Sequence, residues 1–200
     1  MSGSHRHNAE FLSQDQLNDL GFAALGRDVR IHATCVLVNC QRISIGDQVR
    51  IDPFCILSPG DTLTIGSYVH IAAHCVLIGS SAISLDDFAA VSHGGKILSA
   101  SDDFRGGCLI GPTVPDEYRN VDSRPVRLAR HALTGAGTVL LPGTELGEGT
   151  TVGAMSVAKG LLDPWTVYAG CPARKVADRD RDGTLDAERR FLESPASDRV

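Results

Sequence analysis

Between residues 23 and 102 the apolar positions fall on a fixed lattice. Four ungapped twenty-residue windows align: AALGRDVRIHATCVLVNCQR, ISIGDQVRIDPFCILSPGDT, LTIGSYVHIAAHCVLIGSSA and ISLDDFAAVSHGGKILSASD. Aliphatic side chains recur as Leu25, Ile45, Ile65, Leu85, then Ile31, Ile51, Ile71, Val91, then Leu37, Leu57, Leu77, Ile97, in three columns six residues apart. Strand side chains alternate between faces, so a residue two places earlier shares the inward face. Val29, Val49, Val69 and Ala89 form one such column, and Cys35, Cys55, Cys75 and Gly95 another. Short strands joined by bends, with every third strand returning above the first, predict a parallel β-helix with coils stacked at ~4.8 Å. About eighteen residues close a three-sided coil, and the two extra residues in each window fit an enlarged corner. The lattice breaks after residue 102 and resumes as Leu128, Thr134, Leu140, Leu146, Val152 and Ala158. Ala132, Thr138, Thr144, Thr150 and Ser156 stand two places before. This predicts two tighter coils, with Thr134 the one polar residue of the main column.

Three segments leave the lattice. Residues 9–20, AEFLSQDQLNDL, carry Phe11, Leu12, Gln16, Leu17 and Leu20 at helical spacing, which predicts a short amphipathic helix over the first coil. Residues 103–125 are broken by glycine and proline, predicting an extruded loop that reaches a neighbouring subunit or covers a cleft. Near the end, Asp178, Asp180, Asp182 and Gly183 match the opening of a calcium loop, but Arg189 stands where the bidentate glutamate belongs. A charged linker and a short helix around Leu185 to Leu192 are expected there instead, with no metal. The division is an N-terminal helical cap over 1–22, a β-helix over 23–163 with its loop, and a C-terminal segment over 164–200.

Composition narrows the function. Two hundred residues, 42% of them apolar, suit one domain, and a net charge of −5 argues against a nucleic-acid partner. No apolar run approaches a membrane span and the first residues contain no secretory h-region, so a cytoplasmic protein with no membrane partner is expected. The six cysteines include no CxxC pair, and Cys35, Cys55 and Cys75 are expected as free thiols filling the prism rather than as metal ligands. His32 and His74 fall at bends and are expected in solvent.

IGDQVRI, IGSYVHI, TGAGTVLLPGTELGEGTTVGAMSV and the closing VYAGCPARKV resemble the hexapeptide-repeat, left-handed β-helix acyltransferases over roughly residues 20–177. The resemblance implies an all-β fold of left-handed coils and a homotrimer. It also implies acetyl-CoA or another acyl-CoA bound between neighbouring prisms. It places the pantetheine along Ala136 and Ala154, and Arg174 or Lys175 at the 3′-phosphate, where a guanidinium or ammonium pairs well with an anion.

Candidate chemistry gathers where the fourth window departs from the other three, at Ser92, His93, Gly94 and Gly95, and at Ser101, Asp102 and Asp103 where the loop leaves. Glycine within a strand signals a bulge or the close approach of another backbone or ligand. In the galactoside and maltose acetyltransferase branch, a catalytic histidine comes seventeen residues after the aliphatic residue opening its coil. Counted from Leu85, that place holds Asp102. Serine followed ten residues later by aspartate is similar to the branch that N-acylates nucleotide-linked 4-amino-4,6-dideoxyhexoses. That resemblance implies that Ser92 and Asp102 hold the sugar amine. Asp103, beside Asp102 at the loop's root, and His131, at a bend in ARHALTGAG, are further candidates for facing the substrate. His93 is the competing candidate, since its ordinary pKa suits a general base near neutrality. Two rival readings stand beside this one: a sugar O-acetyltransferase using His93 or His131 as base, and a non-catalytic β-helix scaffold.

Overall fold

A computed structural model describes residues 10–194. Residues 1–9 of the expected cap and 195–200 of the C-terminal segment lie outside the described residues. The chain winds through seven coils whose strands stack into three sheets of seven, eight and six strands, parallel throughout except for the last strand of the second. The first sheet begins with Ala24–Leu25, the second with Arg30–Ile31 and the third with Val36–Leu37. Register follows the lattice. Ile83 pairs with Leu63 twenty residues earlier, Val139 with Val157 eighteen later, and across the extruded loop Ile83 pairs with Val126, an offset of 43. Inward columns from all three sheets fill the prism: Ile31, Ile51, Leu57, Leu63, Ile71, Cys55, Cys75, Leu77, Leu128, Leu140 and Leu146 are all fully buried. The cysteines sit as expected among aliphatic neighbours, and the Cys55 thiol donates to the Ala72 carbonyl at 3.1 Å. Against the Cys35 bond, which lowers it, the Cys75 thiol and burial push the Cys55 thiol up to about 12.

In the tighter coils hydroxyls replace the small apolar column, and each returns its hydrogen to backbone. Thr138 donates to the Gly153 carbonyl at 2.9 Å and Thr150 to that of Asp163 at 2.6 Å. Thr134 is the exception: it is buried and its hydroxyl has no partner. A desolvated hydroxyl without a bond costs more than the methyl that would replace it. Thr134→Val is therefore expected to raise stability by about 1 kcal/mol. In a chain of this size that is a gain of roughly 2–4 °C in Tm, read by thermal denaturation.

One helix packs beside the first coil and a second lies against the side of the prism at Tyr68, Phe88 and His131. Helix α1 (Gln14–Asp19) is shorter than the spacing predicts, because Ser13 caps it with a reciprocal bond from Gln16 and Phe11 pairs instead with His32 in a short bridge. That contact overturns the solvated reading of His32. Its ring is buried edge-on to Phe11 and bonded to the Thr34 hydroxyl at 2.9 Å. His74 is exposed and stacked on Phe54. Helix α2 (Arg181–Glu193) starts at the would-be calcium loop, where the Asp180 carboxylate caps it by accepting from the Gly183 N–H. Among the described residues no helix is long and apolar enough to cross a membrane.

Candidate active site

The corner from the second sheet to the third carries one set of candidates in a vertical row. His93 and Gly94 lie above Ala136 and Gly137, which lie above Ala154 and Met155, and the Gly137 N–H donates to the His93 carbonyl at 2.8 Å as the Met155 N–H does to Ala136. The coils close tightly here: a Cβ on Gly135 would sit 2.4 Å from the Ala154 nitrogen. His93, Ala136 and Ala154 are exposed, and among the described residues the N–H groups of Ala136 and Ala154 donate no hydrogen bond. Two open amides one coil apart, with only methyl groups beside them, suit an extended ligand that carries amides of its own. Arg174 extends the row, pairing with Ala169 in the antiparallel strand Arg174–Asp178 that ends the second sheet. Lys175 faces Asp178 across 2.6 Å. Ser92 opens the same corner in the fourth coil, with its carbonyl accepting from Cys75 at 3.1 Å.

The other set sits at the far edge of the third sheet. The extruded loop opens with Ala100–Asp102 paired antiparallel to Val121–Ser123, a hairpin the lattice does not predict, and Asp102 lies opposite Val121. The Gly111 N–H donates to Asp102 Oδ2 at 3.2 Å, while Oδ1 is buried without a partner. Asp103 accepts from the Arg105 N–H and the Asn120 amide, each at 2.8 Å, and these bonds, the first above all, hold its carboxyl below the usual range. Asp122 is held down likewise, chiefly by Arg124 and further by Lys159. Asp102, Asp103, Asn120, Asp122, Leu141 and Lys159 line part of a cleft of about 470 Å³. Three carboxylates around one cleft favour a cationic or hydrogen-bond-donating ligand group.

The structure does not bring His131 to either set. It lies at the corner between the first and second sheets, buried, with its Nε2 at 2.7 Å from Glu188 of α2 and its ring stacked on Phe88 at 5.2 Å. Phe191 of α2 meets Phe88 and Tyr68 edge-on, and Arg130 pairs with both Asp87 and Glu188. A bend histidine read as substrate-facing is thus a docking point for the C-terminal helix. The Arg130 guanidinium, with the His131 bond adding to it, holds the Glu188 carboxyl below its ordinary range against the opposing effect of burial. A lowered folded value means that Glu188 stabilises the docked helix above the ordinary glutamate pKa of about 4.3, and that this contribution fades as pH falls through the folded value. Glu188→Gln is expected to cost about 2 kcal/mol at neutral pH and to flatten the acid side of a Tm-against-pH curve.

Sequence reasoning missed Gly111, Arg119 and Asn120, which reach Asp102 and Asp103 from inside the loop. Only the loop's length pointed to them. Arg119 is mostly buried, with Nη2 at 3.8 Å from Asp102 Oδ1.

Comparison with known proteins identifies the family. No protein-family model matches the chain. It is 35% identical over 191 residues to a dTDP-4-amino-4,6-dideoxy-D-glucose acyltransferase of Escherichia coli, covering 95% of this chain and 99% of that one. AntD, an N-acyltransferase from Bacillus cereus, superposes with a TM-score of 0.91 at 43% identity over 94% of this chain and all of that one. That structure is a serine-to-cysteine variant in complex with dTDP-4-amino-4,6-dideoxyglucose and coenzyme A. Another AntD structure, in complex with dTDP and 3-hydroxybutyryl-CoA, superposes at 0.88 with 43% identity over 92% of this chain and 96% of that one. AntD has also been solved with an aspartate ten positions after that serine changed to alanine or to asparagine. The chain belongs to the hexapeptide-repeat, left-handed β-helix acyltransferases, in the branch of the nucleotide-amino-sugar N-acyltransferases.

Proposed function

We propose that this protein transfers an acyl group from acyl-CoA to the amino group of a dTDP-linked 4-amino-4,6-dideoxyhexose. The observation that carries the reading is the 43% identical relative that holds dTDP-4-amino-4,6-dideoxyglucose and coenzyme A together. The spacing between that relative's substituted serine and aspartate is the spacing between Ser92 and Asp102. In the proposed reaction Asp102 and Ser92 accept hydrogen bonds from the sugar amine, and Asp103 lies on the sugar side of the same cleft. The amine lone pair attacks the thioester carbonyl, and a corner N–H meets the oxyanion that forms. The carbon–sulfur bond then breaks, the thiolate takes the proton from nitrogen, and the products are an amide and free CoA. The open amides of Ala136 and Ala154 fit the pantetheine amides, with Arg174 and Lys175 toward the 3′-phosphate.

The reading includes a homotrimer. One chain alone sets Ser92 and His93 a whole face away from Asp102, about 20 Å for six residues at ~3.3 Å each. A head-to-tail ring brings the first corner of one prism to the second corner of the next. The outer side of the third sheet carries Val36, Ile56, Val76, Val139 and Val157 in one row that only Lys96 interrupts, a largely apolar face that suits that packing, and Val36 and Ile56 are exposed in the single chain. Six free cysteines suit the reducing cytoplasm, with surface-polysaccharide or glycoprotein-glycan synthesis as the setting.

The test is thiol release by purified protein offered acetyl-CoA or 3-hydroxybutyryl-CoA, with the 4-amino sugar nucleotide or its 4-hydroxy counterpart as acceptor. Turnover with the amine alone supports the proposal. Turnover with the hydroxyl alone would overturn it in favour of O-acylation, and failure to bind either acyl-CoA by calorimetry would leave a scaffold.

A further inference from the structure

We propose that Arg119, delivered by the extruded loop, is a positioning residue that fixes the Asp102 carboxylate for the substrate amine. The inference rests on the assignment of Asp102 as the amine's acceptor. Among the described residues three buried side-chain polar atoms lack a hydrogen-bond partner, and two of them, Asp102 Oδ1 and Arg119 Nε, belong to side chains that face each other. Folded chains rarely leave such atoms orphaned, and an oppositely charged pair facing each other just beyond hydrogen-bond distance is a contact that acts through charge.

The geometry divides the labour. Gly111 holds one carboxylate oxygen through its N–H, and Arg119 stands beside the other at 3.8 Å, close enough for charge attraction and too far for a hydrogen bond. Oδ1 is closed off beside Arg119, so the carboxylate is fixed from two sides, and Oδ2, which spends one lone pair on Gly111, is the oxygen left to accept from the amine. Arg119 is itself held: its Nη1 donates to Asp116 at 3.1 Å, and the loop closes on itself just there through the Leu109 N–H to the Tyr118 carbonyl at 2.8 Å. An amine attacks only when its lone pair points at the thioester carbon, so a fixed N–H acceptor governs the rate more than the affinity. The loop thus supplies a charged brace rather than a cover alone.

The experiment is a double-mutant cycle in the full chain: wild type, Asp102→Asn, Arg119→Ala and the pair, with Arg119→Lys as the conservative variant. Steady-state kcat and KM are read with acyl-CoA saturating and the amino sugar nucleotide varied. Expected is a fall of ~30-fold in kcat for Arg119→Ala with KM within ~3-fold, recovery of ~10-fold by Arg119→Lys, and less than ~3-fold further loss from Arg119→Ala once Asp102 is already asparagine. Equal losses in both backgrounds, no recovery by lysine, or an effect confined to KM overturns the proposal. Should Arg119→Ala melt early, Arg119→Gln takes its place in the cycle, since it keeps most of the stem and a donor for Asp116. An Asp102→Asn enzyme as active as wild type instead defeats the assignment of Asp102, whatever Arg119 does.

Discussion

Asp102→Asn is expected to lower kcat/KM for N-acylation by about 10²–10³-fold, equivalent to about 2.7–4 kcal/mol of transition-state stabilisation. Asparagine keeps the shape and the Gly111 contact but removes the charge, and places an N–H₂ group or a neutral oxygen where the amine needs an anionic acceptor. His93→Ala is expected to stay within about threefold of wild type, because an amine whose lone pair is free attacks without a side-chain base, even at the corner the head-to-tail ring brings to Asp102. The two substitutions together separate the reactions. An amine must be held with its lone pair free, whereas a hydroxyl must lose its proton as it attacks and so needs a base. Steady-state thiol release with each variant is the measurement. A crippled His93→Ala beside an intact Asp102→Asn would reverse the assignment of the two residues and restore the histidine-base mechanism.

What the sequence made legible follows from what a coil repeats. Ile51 over Ile71 over Val91 is a local rule applied again and again, so the sheets, the register and the residue at which the loop leaves could all be counted from aliphatic positions. Asp102 became a candidate through that counting joined to the family resemblance. Contacts that no period generates stayed hidden. His131 meets Glu188 across 57 positions, His32 is buried by Phe11 from outside the lattice, and Arg119 finds Asp102 only because an aperiodic loop folds back on its own root. A ten-residue spacing also reads as one local site, whereas in the prism it spans a whole face. Ser92 and Asp102 flank the third sheet and do not meet within one chain.

The motif glycines show the same logic at the level of stability, and Gly66→Ala is expected to destabilise the chain by about 3 kcal/mol, the upper end of overpacking penalties. Gly66 needs no unusual backbone angle; its constraint is the coil stacked next to it. A Cβ there would lie 2.5 Å from Asp87 Oδ1, 2.7 Å from the Asp87 nitrogen and 2.9 Å from the Asp86 carbonyl carbon. Two of these atoms are backbone, and the third is tied because Asp87 Oδ1 accepts the Ser67 N–H at 2.7 Å. The arrangement repeats down the corner: Ser67 Oγ accepts from the Asp47 N–H at 3.1 Å, and Asp47 Oδ1 from the Arg27 N–H at 2.8 Å. Each glycine leaves room for the next coil's side-chain oxygen to cap the following N–H. A methyl at Gly66 must therefore push the third and fourth coils apart or break the cap. Tm is expected to fall by roughly 6–12 °C, against almost no change for Thr64→Ala, an outward-facing residue of the same strand. In a solenoid each coil is supported mainly by its neighbours, so the damage should divide the molecule at that seam. Amide hydrogen exchange is expected to speed up in coils one to three well before coils five to seven, and uniform acceleration throughout would show that the stack unfolds as one unit instead.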